Sequence, residues 1–327
     1  MLLLTTQWLD GQRIDWKMAA CLREIGEYKG CAQMYGVHIS DAMESLRQVT
    51  AEHSATAAGR LERSETSIEQ SNYRRLILEL QDAAQSLPVE APSIVTVHEG
   101  LFRESGREAG IFRSADTGLA LAKLCENYRR QEKSTDPILL IGAFVAGFLS
   151  ILPFAAGNLR LALLIAGWLL NRSGYSINRY VSFERVMATK QEIVGPVLGN
   201  MMGKTDLAEA DLAKWRECWL EILLLAYRNL SARAAALSGR RGVKTELVLA
   251  WIDAAPDDFS IREIQQQVPE CGIELIRKII KEQKSAGMLQ CLGRGPNARW
   301  RKRKRRKLGT KTRTKVRDGL KSGKTVV

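Results

Sequence analysis

The stretch DPILLIGAFVAGFLSILPFAAGNLRLALLIAGWLLNRSGYSINRY, residues 136–180, is the longest apolar run of the chain. Its reading decides the fold. Pro153 lacks an N–H and restricts the residue before it, so it ends or kinks one helix. Gly157 and Asn158 open a second, with Asn158 expected as N-cap and the run from Leu161 to Leu170 strongly helix-forming. The expectation is a buried helix, a tight loop and a second buried helix. A run of about 20 apolar residues is also long enough to span a bilayer. Pro153 splits this one, however, and Asn158 and Arg160 would then lie at membrane depth, which is costly. The reading is a buried core, with no membrane partner.

The loop Leu152-Pro153-Phe154-Ala155-Ala156-Gly157-Asn158-Leu159-Arg160 resembles the signature of the Fic (Fido) family. That signature runs His-Pro-Phe, any residue, an acid, Gly-Asn-Gly-Arg, two residues, Arg. Pro153, Phe154, Gly157, Asn158 and Arg160 match it. Leu152 stands at the His position and Ala156 at the acid position, while Leu159 replaces the second Gly and Leu163 the second Arg. The flanking segments DPILLIGAFVAGFLSI and GYSINRYVSFERV are similar to the family's as well. The departures fall on the chemical residues.

The resemblance implies AMP transfer from ATP to a protein hydroxyl. The family's His takes the hydroxyl proton, its acid holds Mg²⁺, and the helix start with its Arg residues stabilises phosphate charge. Leu152 cannot accept a proton and Ala156 cannot hold a metal, so no catalytic residue is expected. What survives for a nucleotide or other anion is Gly157, Asn158, their backbone N–H groups and Arg160. ATP or another nucleotide is the only cofactor implied, and Mg²⁺ binding is doubtful.

Upstream, residues 1–92 read as a helical region. Met18, Cys21, Leu22 and Ile25 share one helix face, with Gly30 a candidate interruption, and Ser40 is a good N-cap for a helix carrying Met43, Leu46 and Val49. Many Fic proteins carry an inhibitory helix ending Ser/Thr, three residues, Glu, whose Glu pairs with the second Arg of the motif. Ser54 to Gly59 has this spacing with Ala58 at the Glu position. Ala58 and Leu163 thus read as a joint loss of restraint, and an Ala-rich helix end is the plainer alternative. Residues 67–87 form an amphipathic helix ending before Pro88. The next helix puts Ile94, Val97, His98 and Leu101 on one face, where His98 is read as structural.

The Fic-like domain is expected over 93–237. Within it, Gly110, Phe112 and Arg113 resemble the family's flap, a short β-hairpin that clamps a protein segment by strand addition. A helix is expected after Tyr180 as far as Gly195-Pro196. The long helix of 205–237 has Leu212, Trp215, Trp219, Ile222 and Leu223 as its core face, and the two Trp read as packing rather than base stacking.

Beyond a linker at 238–244 the pattern changes. Residues 245–300 read as three short helices and a β-wing, with Ser260 capping the second helix and Cys271-Gly272 turning into the third. This resembles a winged helix-turn-helix. Arg277, Lys278, Lys281 and Lys284 on the third helix, with Arg294, Arg299 and Arg301 on the wing, are the candidate DNA contacts. Residues 301–327 read as a basic disordered tail, beginning with seven consecutive basic residues. The whole chain of 327 residues has a net charge of +13. Residues 299–327 hold 14 Lys/Arg against Asp318, so this C-terminal stretch carries all of that excess and the rest of the chain is neutral.

Six Cys without a CxxC pair read as reduced, mostly buried thiols, and the N-terminus lacks a signal-peptide pattern, so a cytoplasmic protein is expected. The fold class expected is mainly α, with a small β-flap and a wing. Two functions stay open: a DNA-binding regulator carrying a degenerate Fic domain, or an active adenylyltransferase using a substitute base. The partners implied are DNA, a nucleotide and a protein segment at the flap, with a homodimer as a further option.

Overall fold

A computed structural model of the chain describes residues 4–5, 8, 12–35, 40–63, 66–204, 206–237, 243–269, 271–293, 295 and 298–303. The chain divides into two compact units, 1–255 and 256–327, each taken by itself.

The first unit is helical. Its elements are α1 (Trp16–Tyr35), α2 (Ser40–Glu62), α3 (Ser67–Asp82), α4 (Ala91–Leu101), α5 (Ala115–Gln131), α6 (Pro137–Ile151) and α7 (Asn158–Arg172). A 3-10 turn (Ser176–Arg179), α8 (Phe183–Thr189), α9 (Gln191–Met201), α10 (Glu209–Leu237) and α11 (Val243–Ala254) follow. The pair α6 and α7 is the centre, as the apolar run demands. Every residue from Leu140 to Ile151 and from Asn158 to Asn171 is buried. Helices α5 and α10 cover α6, while α2, α3 and α4 cover α7. A helix apolar all round needs such enclosure. Among the described residues no helix is long and apolar enough to cross a membrane.

The two tryptophans of α10 lock it to α6. Trp215 Nε1 donates to Gly142 O at 2.7 Å and Trp219 Nε1 to Ile138 O at 2.9 Å. A Cβ on Gly142 would lie 2.6 Å from the Trp219 ring, so glycine allows the close approach. Both rings are 1% exposed, and burying each contributes about 2–3 kcal/mol. They are packing residues, as the shared face with aliphatics suggested.

Several local expectations are corrected. Helix α1 runs through Gly30, which costs only about 1 kcal/mol in a helix interior. Helix α2 continues past Gly59 to Glu62, and α3 stops at Asp82, where the Ala83 N–H closes on Glu79 O. Pro196 lies inside α9 instead of ending a helix; the carbonyl it leaves unpaired, on Glu192, is at an exposed position where water can serve it. The flap hairpin is not formed. Ser114 and Thr117 make a capping box that starts α5 at Ala115, leaving no return strand. Phe112 makes only a single antiparallel bridge, to Phe154.

In the second unit, β1 (Asp258–Ser260) leads into α12 (Ile261–Gln267), then α13 (Ile273–Ser285), β2 (Leu289–Cys291) and β3 (Arg299–Lys302). The antiparallel sheet has the order β1-β3-β2, with Phe259 opposite Trp300 and Cys291 opposite the same residue. Strand β1 was not anticipated. Ser260 caps α12 in a capping box with Glu263, and Gly272 is the N-cap of α13, both at the positions read from sequence. Phe259, Ile264, Val268, Ile276, Ile279, Ile280 and Leu289 are buried. Helix α11, expected to join these elements, groups with the first unit and packs on α10. Arg294 and residues 304–327 lie outside the described residues.

Candidate functional site: the 152–160 loop and its carboxylates

Helix α6 ends at Leu152, which adopts the left-handed conformation (φ 46°) that a branched side chain seldom takes. Pro153 then prevents continuation, and its carbonyl accepts from Arg113 N at 2.9 Å. Asn158 is not the N-cap expected. It is the first helical residue, and Gly157 (φ +76°) caps α7. The Asn158 side chain instead closes the loop: Oδ1 accepts from Phe154 N (3.1 Å) and Nδ2 donates to Phe154 O (2.8 Å). A Cβ on Gly157 would stand 2.6 Å from the Phe102 ring, in a backbone conformation only glycine adopts cheaply.

His98 fastens the other side. Its ring stacks on Phe154 at 3.9 Å between centroids and meets Phe102 edge-on. Gly110 N donates to Nδ1 at 2.9 Å, so Nε2 carries the proton and donates to Ala156 O at 3.1 Å. Both nitrogens are committed to backbone. Burial lowers the imidazole pKa below its ordinary value, with Arg160 adding to the effect against the bond to Ala156 O. His98 is therefore a structural clamp between the flap-like segment and the loop, in line with its reading from sequence. Phe112 stacks on Phe154 from the same side.

Arg160 is 2% exposed. Its Nε pairs with Glu62 and its Nη1 with Glu69 Oε2 at 2.7 Å. Glu62 Oε1 also accepts from Leu159 N at 3.0 Å. A carboxylate from the end of α2 thus sits on the N-terminus of α7, where the helix dipole and free N–H groups favour negative charge. Arg107 pairs with Glu69 at 3.2 Å, and the guanidinium groups of both Arg107 and Arg160 lie over the Phe102 ring. Sequence reasoning missed Glu62 and Glu69. The signal for Glu62 was its place one turn beyond Ala58 on the same helix face.

Ala58 is fully buried and Leu163 is 2% exposed, and neither side chain supplies the charge that the resemblance implies at its position. Glu62, one turn further along α2, brings a carboxylate to Arg160, the first Arg of the loop. Ser54, the start of the inhibitory-helix-like segment, donates to Glu184 at 2.7 Å, which Tyr73 and Ser182 also serve.

The chemistry left in the loop is limited. Leu152 offers no base and Ala156 no metal ligand. Among the described residues no group of three His, Cys, Asp or Glu side chains could hold a metal ion. The residues present do not fit a Mg²⁺-nucleotide.

Residues 74–170 match the Fic/DOC family. The chain thus carries a Fic/DOC family domain, built from most of α3 through nearly all of α7 and holding the loop just described. A Fic family protein from Desulfovibrio desulfuricans G20 has a similar fold, with a TM-score of 0.52 and 19% identity over 89% of this chain and 97% of that one. A Fic domain containing signaling protein from Bacteroides thetaiotaomicron VPI-5482 is similar at TM-score 0.54 and 13% identity, over 66% of this chain and 98% of that one. At these identities the likeness is one of fold. No curated protein matches this chain in sequence.

In the second unit the candidate contacts separate into two groups. Arg277 pairs with Glu274 at 2.7 Å. Arg299 donates to Asp258 O at 2.8 Å, and Arg301 grips the Asp258 carboxylate through two bonds of 2.6 and 2.7 Å. That grip lowers the Asp258 pKa and raises that of Arg301. Lys278, Lys281 and Lys284 are exposed on α13, opposite the face of Ile276, Ile279 and Ile280, and have no ion pair among the described residues.

Proposed function

We propose that the chain is a cytoplasmic DNA-binding regulator whose Fic domain is catalytically inactive. The observation that carries the second half is the occupation of Arg160 and the α7 N-terminus by Glu62 and Glu69. A nucleotide phosphate would have to displace a carboxylate bonded at two points. It would then find neither base nor metal ligand. The committed nitrogens of His98 argue against a substitute base there.

The DNA-binding half rests on the second unit. Two capped helices leading into an antiparallel β2–β3 hairpin, with β1 pairing to β3, support a winged-helix reading of 256–303. The three exposed lysines of α13 suit phosphates or base edges. The basic tail would add salt-sensitive, sequence-independent affinity. The test is paired. The full chain, incubated with labelled ATP and Mg²⁺, should transfer no AMP to itself or to lysate proteins, and it should retard duplex DNA. Robust AMP transfer overturns the first half, and failure to bind duplex at low salt overturns the second.

A further inference from the structure

A cleft of about 450 Å³ lies between α3 and α4, and the 152–160 loop contributes nothing to its lining. Its volume is in the range of small-molecule sites. Leu76 and Leu80 of α3, Leu87 of the connection and Val97 of α4 make the lining apolar. At one end Arg75 Nη2 donates to Gly100 O at 3.1 Å and ties the two helices together. Gly100 allows their close approach, since a Cβ there would stand 2.9 Å from Leu76 Cδ2.

Ser93, on the first turn of α4, lines the cleft seven residues before Gly100. It is 8% exposed, and its hydroxyl has no hydrogen bond among the described residues. Residues 66–204 are described without a break, so the lining residues and their neighbours in sequence are all included. A buried hydroxyl left without a partner costs free energy. A docked apolar helix face would leave it so, whereas a small molecule can carry one hydrogen-bonding group to it. The rim is balanced in charge, with Arg75 and Arg103 against Glu79 and Glu99, and Arg75 pairs with Glu79 at 2.9 Å. It therefore favours an ion of neither sign. We propose that the α3–α4 cleft binds a small, elongated, uncharged apolar molecule whose hydroxyl or carbonyl group bonds to Ser93 Oγ. The site depends on neither half of the proposed function, because none of its lining residues holds Arg160 or lies in the second unit.

The test uses the full chain and 1-octanol as probe, read by NMR at the Leu and Val methyl groups. From Ser93 to Gly100 the helix rises about 10 Å, roughly the length of an eight-carbon chain. The methyl resonances of Leu76, Leu80 and Val97 should shift and saturate, while those of Leu119, 73% exposed on α5, should stay in place. Ser93→Ala should raise the apparent Kd about threefold to tenfold, the loss of one hydrogen bond. Thr96 is an exposed lining residue, and Thr96→Trp should fill the cleft and abolish the shifts. Methyl resonances elsewhere that match the wild type establish that each variant is folded. Octanoate and octylammonium should each bind more weakly than the alcohol. A response that does not saturate, or that moves Leu119 equally, overturns the site. Equal affinity in Ser93→Ala overturns the role of the hydroxyl, and tighter binding of octanoate or octylammonium overturns the uncharged class.

Discussion

Glu62 and Arg160 meet across 98 residues of sequence, the carboxylate lying on the first turn of α7 and bonded to both the Arg160 side chain and the Leu159 N–H. Glu69 completes the neutralisation from α3. The pairing turns an anion-binding helix start into an internal contact. Removing Arg160 should therefore do more than weaken a ligand site. It takes from Glu69, 1% exposed, its partner at 2.7 Å, while the half-exposed Arg107 stays at 3.2 Å. Breaking a buried pair costs about 3–5 kcal/mol. Urea unfolding of Arg160→Ala should show a loss of that order, and a loss below about 1 kcal/mol would mean the pair contributes little.

The same contact should also block attempts to rebuild the active loop. Leu152→His with Ala156→Asp supplies a base and a metal ligand, yet Glu62 still holds Arg160. Labelling by ATP and Mg²⁺ should stay absent in that double variant and emerge only when Glu62→Ala is added. Equal labelling with and without Glu62→Ala would show that the carboxylate is no obstacle.

Much of the centre was legible because its signals are local. Pro153, the apolar run on each side and the Ser260–Glu263 capping box act within one or two turns, and each did what its chemistry dictates. The loop match was legible for the same reason. What sequence could not give was pairing at a distance. Glu62 lies one turn beyond Ala58 on the same helix face, but nothing local shows that it reaches Arg160, 98 residues away, nor that Phe112 bridges Phe154 in place of a hairpin. Arg299 and Arg301 looked like free contacts, and their intramolecular partners are 36 and 43 residues away.

His53 gives a pH prediction. Burial lowers its folded pKa to about 4, below the ordinary 6.5, so the unfolded chain binds the proton more tightly. Stability from this group is complete above pH 6.5 and falls as the pH drops from 6.5 toward 4. The shift corresponds to roughly 3 kcal/mol at most. His53→Gln should remove that component, so the stability difference between variant and wild type should change by up to this amount between pH 7 and 4. Parallel curves for the two proteins would show that His53 is not desolvated as described.

DNA binding should separate into a tail part and a helix part. The deletion must start at residue 304, because Arg301 and Lys302 belong to β3 and Arg301 holds Asp258. Residues 304–327 carry ten of the basic side chains. If roughly five of them meet phosphates, their removal should flatten the log–log salt slope by about 4–5 and weaken binding to every duplex alike. Lys278→Ala or Lys281→Ala should act differently. These side chains are exposed and unpaired on α13 among the described residues, so neither change breaks an internal contact. If one reads a base, discrimination between a selected site and random duplex should fall by about 1–3 kcal/mol with little change in slope. If it meets only phosphate, affinity should fall for both duplexes and the slope should drop by about 1. A salt titration of full-length, 304–327-deleted and lysine variants on both duplexes distinguishes these results. Loss of all duplex binding on deleting 304–327, even at low salt, would reduce α13 to a packing element and the tail to a general polyanion arm.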